Sequence, residues 1–411
     1  MLEIGNSQIV SVSTLIKGLY EHVHLNNLPN DAPYRGLLAM GKGFILDEEG
    51  YEKWYRDLMT ATFALPRIAA IWSEDGIRGL MHELIVELAE NKSKQIAPNF
   101  DEIARNCIAK IDVEFEETES FLPVIGLALQ QPLSAGSVTL LPLDMIKERI
   151  KGYDLWHSFD DLSPNMSCVA QIVIKTEAQR SVETLREKTE FVVNLFRFVS
   201  SIMYKDGPVT PIYVKGNEPR RISRAVTIDS SGRASSFANS VQSPVPLVLN
   251  ESNQRIADFY GLGHLLSLVG MEKRSPLEDN ILTAIQWFGD ATQDIVPAFA
   301  FVKFYIALET VTKKQDETAG SVLPARVSRL LAPFERDRRK RLLKSLKRVI
   351  DERDAIFHGG EPSSESFGYL EWVAKRFARS TIHEVRQLVE RERLKTKDEL
   401  TAWIRQIGRP G

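Results

Sequence analysis

The last third of this chain constrains its fold most, because helix start and stop signals there bracket a series of single apolar stripes. Ser275-Pro276-Leu277-Glu278 is a capping box with proline at the first helical position, and Thr396-Lys397-Asp398-Glu399 is a second box. The first opens a helix carrying Leu277, Ile281, Ala284, Ile285 and Phe288; a second helix is expected from about Pro297 to Lys313. After an exposed loop (Lys314 to Ser321) comes a short helix through Val327, Leu330 and Leu331. A basic helix follows from about Phe334 to His358, stopped by Gly359-Gly360 with Pro362 close behind. A long helix then carries Phe367, Leu370, Ala374, Phe377, Val385 and Leu388, and the last carries Leu400, Trp403 and Ile407. Helices with short links and one stripe each bury those stripes against one another, so a bundle is expected from about 256 to 411.

A chain of 411 residues exceeds one small core and implies two or three domains. Residues 1 to about 95 read as mainly helical, with Trp54, Leu58 and Ala61 on one stripe and Leu80, Leu84 and Leu88 on another. Asp75 is placed to cap the second helix. From about 96 to 255 the pattern changes. Phe121–Leu129, Ser137–Leu143, Cys168–Lys175, Pro211–Lys215 and Ala225–Ile228 read as strands, and Val182–Ile202 as a helix. The serines and Gly232 make Asp229–Ser240 a flexible loop. The expected fold is therefore α+β: a helical N-terminal region (1–95), a mixed α/β middle part (96–255) of unassigned role, for which a sensor or regulatory part is one reading, and an all-α C-terminal bundle (256–411).

Composition bounds the function. A net charge of −3 gives no general mandate for nucleic-acid binding, so such binding must come from a local patch. Cys107 and Cys168 are the only cysteines, which excludes a disulfide framework and fits a reducing cytosol. No apolar run is long enough to span a bilayer and no signal-peptide pattern opens the chain, so a cytoplasmic protein without membrane association is expected. His22 and His24 lack a third metal ligand nearby, and Gly41-Lys42-Gly43 lacks P-loop spacing. Neither a metal nor a cofactor is expected, and the first 255 residues show no nucleophile–base–orienter set.

The basic helix is the chemically suggestive element. At about 100° per residue, Leu342, Leu343, Leu346, Val349, Ile350 and Phe357 fall within roughly 120°. The opposite arc holds Arg336, Lys340, Arg341, Lys344, Lys347 and Arg348. That arc reads either as a solvated face or as a phosphate track in which Arg336, Lys340, Lys344 and Lys347 bind RNA. Arg353 lies in the middle of the apolar arc, where an unpaired charge is costly. Glu309 lies on the apolar stripe of the second helix with Ala298, Val302, Tyr305 and Ile306, so a structural ion pair between Glu309 and Arg353 is expected. His358 sits at the helix C-terminus, where the macrodipole favours imidazolium, and Asp354, four residues earlier, is placed to orient its ring. Those conditions suit an acid–base histidine; a C-capping histidine is the competing reading.

Three pieces of this region carry a family resemblance: Ile285-Gln286-Trp287-Phe288-Gly289, Phe304-Tyr305-Ile306-Ala307-Leu308-Glu309, and Arg353-Asp354-Ala355-Ile356-Phe357-His358-Gly359-Gly360. In this order, within a helical bundle, they resemble the HEPN superfamily, in particular its ApeA-like branch, over about 270–411. The resemblance implies a HEPN-like bundle and a metal-independent endoribonuclease that serves as a toxin or antiphage, abortive-infection effector. It implies a homodimer through the C-terminal bundle, and a trigger or neutralising partner of unspecified nature. It makes His358 the acid or base on the ribose 2′-hydroxyl or the leaving 5′-oxygen, and Arg353 the group that stabilises charge on the phosphorus. Asp354 stands where the family most often has Asn. On a regular helix Arg353 and His358 point roughly 140° apart, so a second copy is the economical way to unite them on one phosphate. The alternative is a non-catalytic HEPN module that binds RNA or protein, with Arg353 serving the fold.

Overall fold

The computed structural model describes residues 6–25, 38–39, 44–46, 49–64, 66–150, 162–165, 167–204, 211–216, 224–228, 234–238, 246–357 and 367–407. Gly41-Lys42-Gly43, the ends of the Asp229–Ser240 segment and the stretch from His358 through Pro362 lie outside the described residues. The chain is mixed α+β and divides into two compact units: residues 1–120 with 172–184, and residues 121–171 with 185–411. The division therefore falls at different places from 95 and 255.

The first unit is mainly helical: α1 (Asn6–Glu21), α2 (Arg56–Phe63), α3 (Pro66–Ile71), α4 (Glu74–Ser93) and α5 (Phe100–Ile111). A π-helical turn, Gly50–Tyr55, leads into α2. A small antiparallel sheet of β1 (Val23–Leu25), β2 (Leu38–Ala39) and β3 (Phe44–Leu46) has the order β1-β3-β2. Ile77, Met81, Leu84, Ile85 and Leu88 line one face of α4 and are buried with Ile16 and Leu19 of α1 and Leu58 of α2. Each such side chain contributes roughly 1.5–3 kcal/mol by leaving water. The cap of α4 is Ser73, not Asp75. Ser73 is extended (ψ 160°), so its Oγ accepts from the Gly76 amide at 2.9 Å and donates to Glu177 Oε2 at 2.6 Å. Asp75, already inside the helix, pairs instead with Arg78 at 3.3 Å.

The strands of the remaining chain are β4 (Glu117–Ile125), β5 (Leu127–Leu129), β6 (Leu133–Ala135), β7 (Val138–Pro142), β8 (Ser167–Lys175), β9 (Tyr213–Val214), β10 (Arg224–Ile228), β11 (Ala234–Ala238) and β12 (Leu247–Leu249). Five of them form a sheet of order β6-β7-β8-β4-β9. The run expected as one strand from Phe121 is broken at Gly126. There φ is +82° and a Cβ would stand 2.1 Å from the Pro211 carbonyl oxygen, so the chain turns and β5 pairs in parallel with β12 instead. Residues 234–238, expected as loop, form β11, which pairs antiparallel with β10 from Arg224↔Ala238 to Ile228↔Ala234. Its serines carry a hairpin strand that its composition conceals.

The helices of the second unit are α6 (Leu143–Ile150), the larger part of α7 (Ala178–Met203), α8 (Glu251–Phe259), α9 (Leu262–Gly270), α10 (Pro276–Ala291), α11 (Pro297–Thr312), α12 (Ala319–Leu331), α13 (Arg336–Phe357), α14 (Phe367–Glu392) and α15 (Lys397–Gln406). Both capping boxes form, at Ser275 and at Thr396. α10, α11 and α14 pack closely on one another, and Phe288 meets Phe198 and Phe304 edge-on with ring centroids 5.4 and 5.1 Å apart. α13 packs chiefly on α12 and only lightly on α14. Among the described residues no helix is long and apolar enough to cross a membrane.

Candidate functional site

α13 is amphipathic as its sequence requires. Leu346, Val349 and Ile350 are buried, Leu342 and Leu343 are half-buried, and Arg336, Lys340, Arg341, Lys344, Lys347 and Arg348 are exposed. The four cations named above as an RNA track, Arg336, Lys340, Lys344 and Lys347, thus lie together on the solvent side of one helix. Lys340 stands 3.8 Å from Asp337; Arg336, Lys344 and Lys347 have no carboxylate partner among the described residues. A face so lightly neutralised keeps its field for a polyanion, though salt screens it over about 10 Å at 0.1 M.

Arg353 sits one turn before the described end of α13. Its side chain is 30% exposed, and Nη1 donates to Asp354 Oδ1 at 2.7 Å. Adjacent residues of a helix diverge by about 100°, so the guanidinium must curl around the helix to reach that carboxylate. A half-exposed pair of this kind contributes at most about 1 kcal/mol to stability. The guanidinium carbon also lies 5.2 Å from the ring centroid of Tyr305 on α11, a cation–π distance. The ring, 1% exposed, supplies a firm apolar floor beneath a part-exposed guanidinium.

Glu309 is one helical turn beyond Tyr305 on α11 and half-buried. Burial of the Tyr305 hydroxyl, reinforced by the Glu309 charge beside it, pushes its pKa up, while Arg353 pulls the other way. Glu309 does not close a well-directed hydrogen bond with that buried hydroxyl. Burial disfavours the charge on Arg353, but the Asp354 hydrogen bond, Tyr305 and the Glu309 field outweigh it, and the guanidinium pKa is raised. Arg353 is thus held by one carboxylate in contact, a ring beneath it and a second carboxylate acting through its field. Asp354 is in contact with Arg353, and Glu309, which the helical projection pairs with it, raises its pKa through its charge.

His358 lies outside the described residues, so its ring is not placed beside Asp354 or Arg353. Asp354, expected to orient that ring, has Oδ1 engaged by Arg353. Tyr305 was absent from the expected site, although its place four residues before Glu309 on one stripe was the available signal.

The pieces at Ile285–Gly289 and Phe304–Glu309 acquire distinct tasks. Gln286 and Asp290 on α10 accept from Asn194 Nδ2 at 2.9 and 3.0 Å, and Asn194 Oδ1 accepts from Arg197 Nη1 at 2.6 Å. Arg197, 2% exposed, also donates from Nε to the Ile212 carbonyl at 2.7 Å. Gly289 lets Asn194 approach so closely that a Cβ there would stand 2.0 Å from Asn194 Oδ1. These residues build the bundle, whereas Tyr305 and Glu309 bear on Arg353. No family model, curated protein or solved structure matches this chain.

Proposed function

We propose that this protein is a metal-independent endoribonuclease of the HEPN type, a toxin or antiphage effector whose reaction centre is built around Arg353 and His358. The observation that carries the reading is a guanidinium presented part-exposed on an aromatic floor, near the end of a helix whose solvent face is a row of lightly neutralised cations. That row would hold the RNA backbone, and Arg353 would meet one phosphate with its planar fork. His358, five residues on, would take the proton of the ribose 2′-hydroxyl as its oxygen attacks phosphorus. Arg353 would stabilise the charge gathered on the phosphoryl oxygens. The 5′-oxygen would then leave with the proton that His358 took up, which gives a 2′,3′-cyclic phosphate and a 5′-hydroxyl and returns His358 to its starting state. Because Arg353 and His358 diverge by about 140° on a regular helix, each composite site would draw on two copies of the chain. The chain would act in the cytoplasm, with its remaining parts sensing a trigger or restraining the nuclease.

The test compares wild type with His358→Ala, both shown folded by circular dichroism, on RNA in vitro and in growth after induction. Wild type is expected to cleave RNA to cyclic-phosphate ends and arrest growth, and the variant to do neither. Equal behaviour of the two proteins overturns the proposal. One observation favours a second reading, a non-catalytic module that binds RNA or protein: Asp354 already neutralises Arg353 at 2.7 Å, which is what a structural arginine requires.

A further inference from the structure

An ion pair between Lys314 and Asp398 ties the segment leaving α11 to the first turn of α15. Each of these partners has a lysine beside it in the chain. Lys313 is the C-cap residue of α11, and Lys397 is the first residue of α15. The tie therefore sets Lys397 within the field of the Lys313 ammonium.

The carboxylates around the two lysines are engaged elsewhere. Glu317 Oε2 accepts from Arg326 Nη1 at 2.6 Å and from the Lys314 amide at 2.9 Å, and its Oε1 is bound by Arg326 Nη2. Asp398 holds Lys314. Glu399 turns back to the amides of Lys395 and Thr396, at 2.6 and 3.0 Å, to close the capping box. Lys313 Nζ donates to the Lys314 carbonyl at 3.3 Å and pairs with no carboxylate among the described residues. Lys397 Nζ has neither a hydrogen bond nor an ion pair among them, yet the half-buried side chain keeps its amine in reach of solvent.

A lysine that serves the fold answers to a carboxylate or a carbonyl, and Lys397 answers to neither. Burial and a neighbouring cation both penalise the ammonium form. Burial foremost, and then the Lys313 charge, lower the Lys397 pKa, while Glu317, already held by Arg326, pulls the other way. Desolvation beside a second cation is one of the ways in which a lysine becomes a nucleophile.

We propose that Lys397 is an acylation site, its amine taking the acyl group of an acyl phosphate whose phosphate is drawn in by Lys313. The amine lone pair attacks the carbonyl carbon and an N–C bond forms. The bond from that carbon to the phosphate oxygen breaks, its electron pair leaves with inorganic phosphate, and one amine proton passes to solvent. The amide is neutral, so the product relieves the repulsion between Lys397 and Lys313. An anionic donor suits a lysine that lacks a carboxylate, whereas an uncharged donor gains nothing from it. Neither Arg353 nor His358 takes part, so the site does not depend on the nuclease reading.

The test treats the full-length protein with acetyl phosphate to low conversion over a range of pH, and quantifies each acetylated lysine by peptide mass spectrometry. Lys94 and Lys110, exposed and paired with Glu90 and Glu83 at 3.4 and 3.2 Å, are the references. Near neutral pH Lys397 is expected to react roughly threefold to tenfold faster than either. Its rate should level off below the ordinary lysine pKa of 10.5. Lys313→Met keeps the aliphatic stem and removes the charge; it should slow Lys397 about threefold and leave the references unchanged. An uncharged acetyl thioester should favour Lys397 over the references less than acetyl phosphate does. Reaction of Lys397 no faster than the references, or a rate untouched by Lys313→Met in a variant shown folded by circular dichroism, overturns the proposal. An equal advantage with the thioester overturns the choice of donor. The rate comparison and the pH profile need wild type alone, so they decide the matter even where the variant does not fold.

Discussion

Gly289→Ala pits two opposing effects against each other within one of the pieces that carries the family resemblance. In a helix, alanine is favoured over glycine by about 1 kcal/mol, so propensity alone would stabilise the protein. The new methyl, however, would stand 2.0 Å from Asn194 Oδ1 and 2.3 Å from its Cγ, and Asn194 would have to move. Its displacement breaks the 2.6 Å hydrogen bond from Arg197 and those to Gln286 and Asp290, at a site where Arg197 is 2% exposed. Hydrogen bonds to charged groups contribute about 1.5–3 kcal/mol each, and a buried arginine left short of acceptors is costly. Taking two such bonds and subtracting the propensity gain leaves a net loss of roughly 2–5 kcal/mol. With a urea m-value near 3 kcal/mol/M, the midpoint should fall by about 1 M at unchanged m. Asn194→Ala in the same background should remove most of the clash, so the two substitutions together should cost less than their sum. An unchanged or raised midpoint for Gly289→Ala would refute the reasoning, because propensity would then have won.

Three further outcomes follow from the same geometry. Tyr305→Phe keeps the ring under Arg353 but deletes a buried hydroxyl that lacks a well-directed partner, so unfolding should show no loss and up to ~1–2 kcal/mol of gain; a loss above about 1 kcal/mol would show a bonded hydroxyl. The hydrogen bond from buried Arg326, with the Lys314 amide, holds the Glu317 carboxyl down at about 2 from an ordinary 4.5. The unfolded chain therefore binds this proton more readily, so the stabilisation is complete above about pH 4.5 and lost towards pH 2; Glu317→Gln should flatten that part of the acid-unfolding curve, and an unaltered curve would count against the pair. Asp354→Asn removes the carboxylate that occupies Arg353 and should raise the initial rate of RNA cleavage several-fold; a fall would return Asp354 to the role of orienting His358.

The helical region was legible because its signals are local. Ser275 and Thr396 announce their helices through residues three positions away, and the stripes of α10 and α14 follow from spacing alone. What depended on distant partners was not. Ser73 outcompetes Asp75 as the cap because Glu177, more than a hundred positions later, accepts its hydroxyl. Gly126 breaks a strand because the Pro211 carbonyl approaches it, and the serine-rich β11 becomes a strand because β10 lies beside it. The expected boundaries at 95 and 255 followed composition, whereas the compact units divide within β4, β8 and α7.

The candidate site divides in the same way. Helical projection placed the cations of α13 on one solvent face, a matter of period alone. It could not choose between two carboxylates for Arg353, because a long flexible side chain reaches Asp354 by curling around its own helix. On α14, Leu370, Ala374 and Phe377 are buried, as their spacing requires.

On the proposed function, His358 and Arg353 together would cut RNA through its own 2′-hydroxyl. The most direct measurement treats one defined single-stranded RNA with wild type and with His358→Ala, and reads the new ends by mass spectrometry. The expected result is a 2′,3′-cyclic phosphate and a 5′-hydroxyl from wild type, with no product from the folded variant. Identical product from both proteins, or none from wild type, would contradict it.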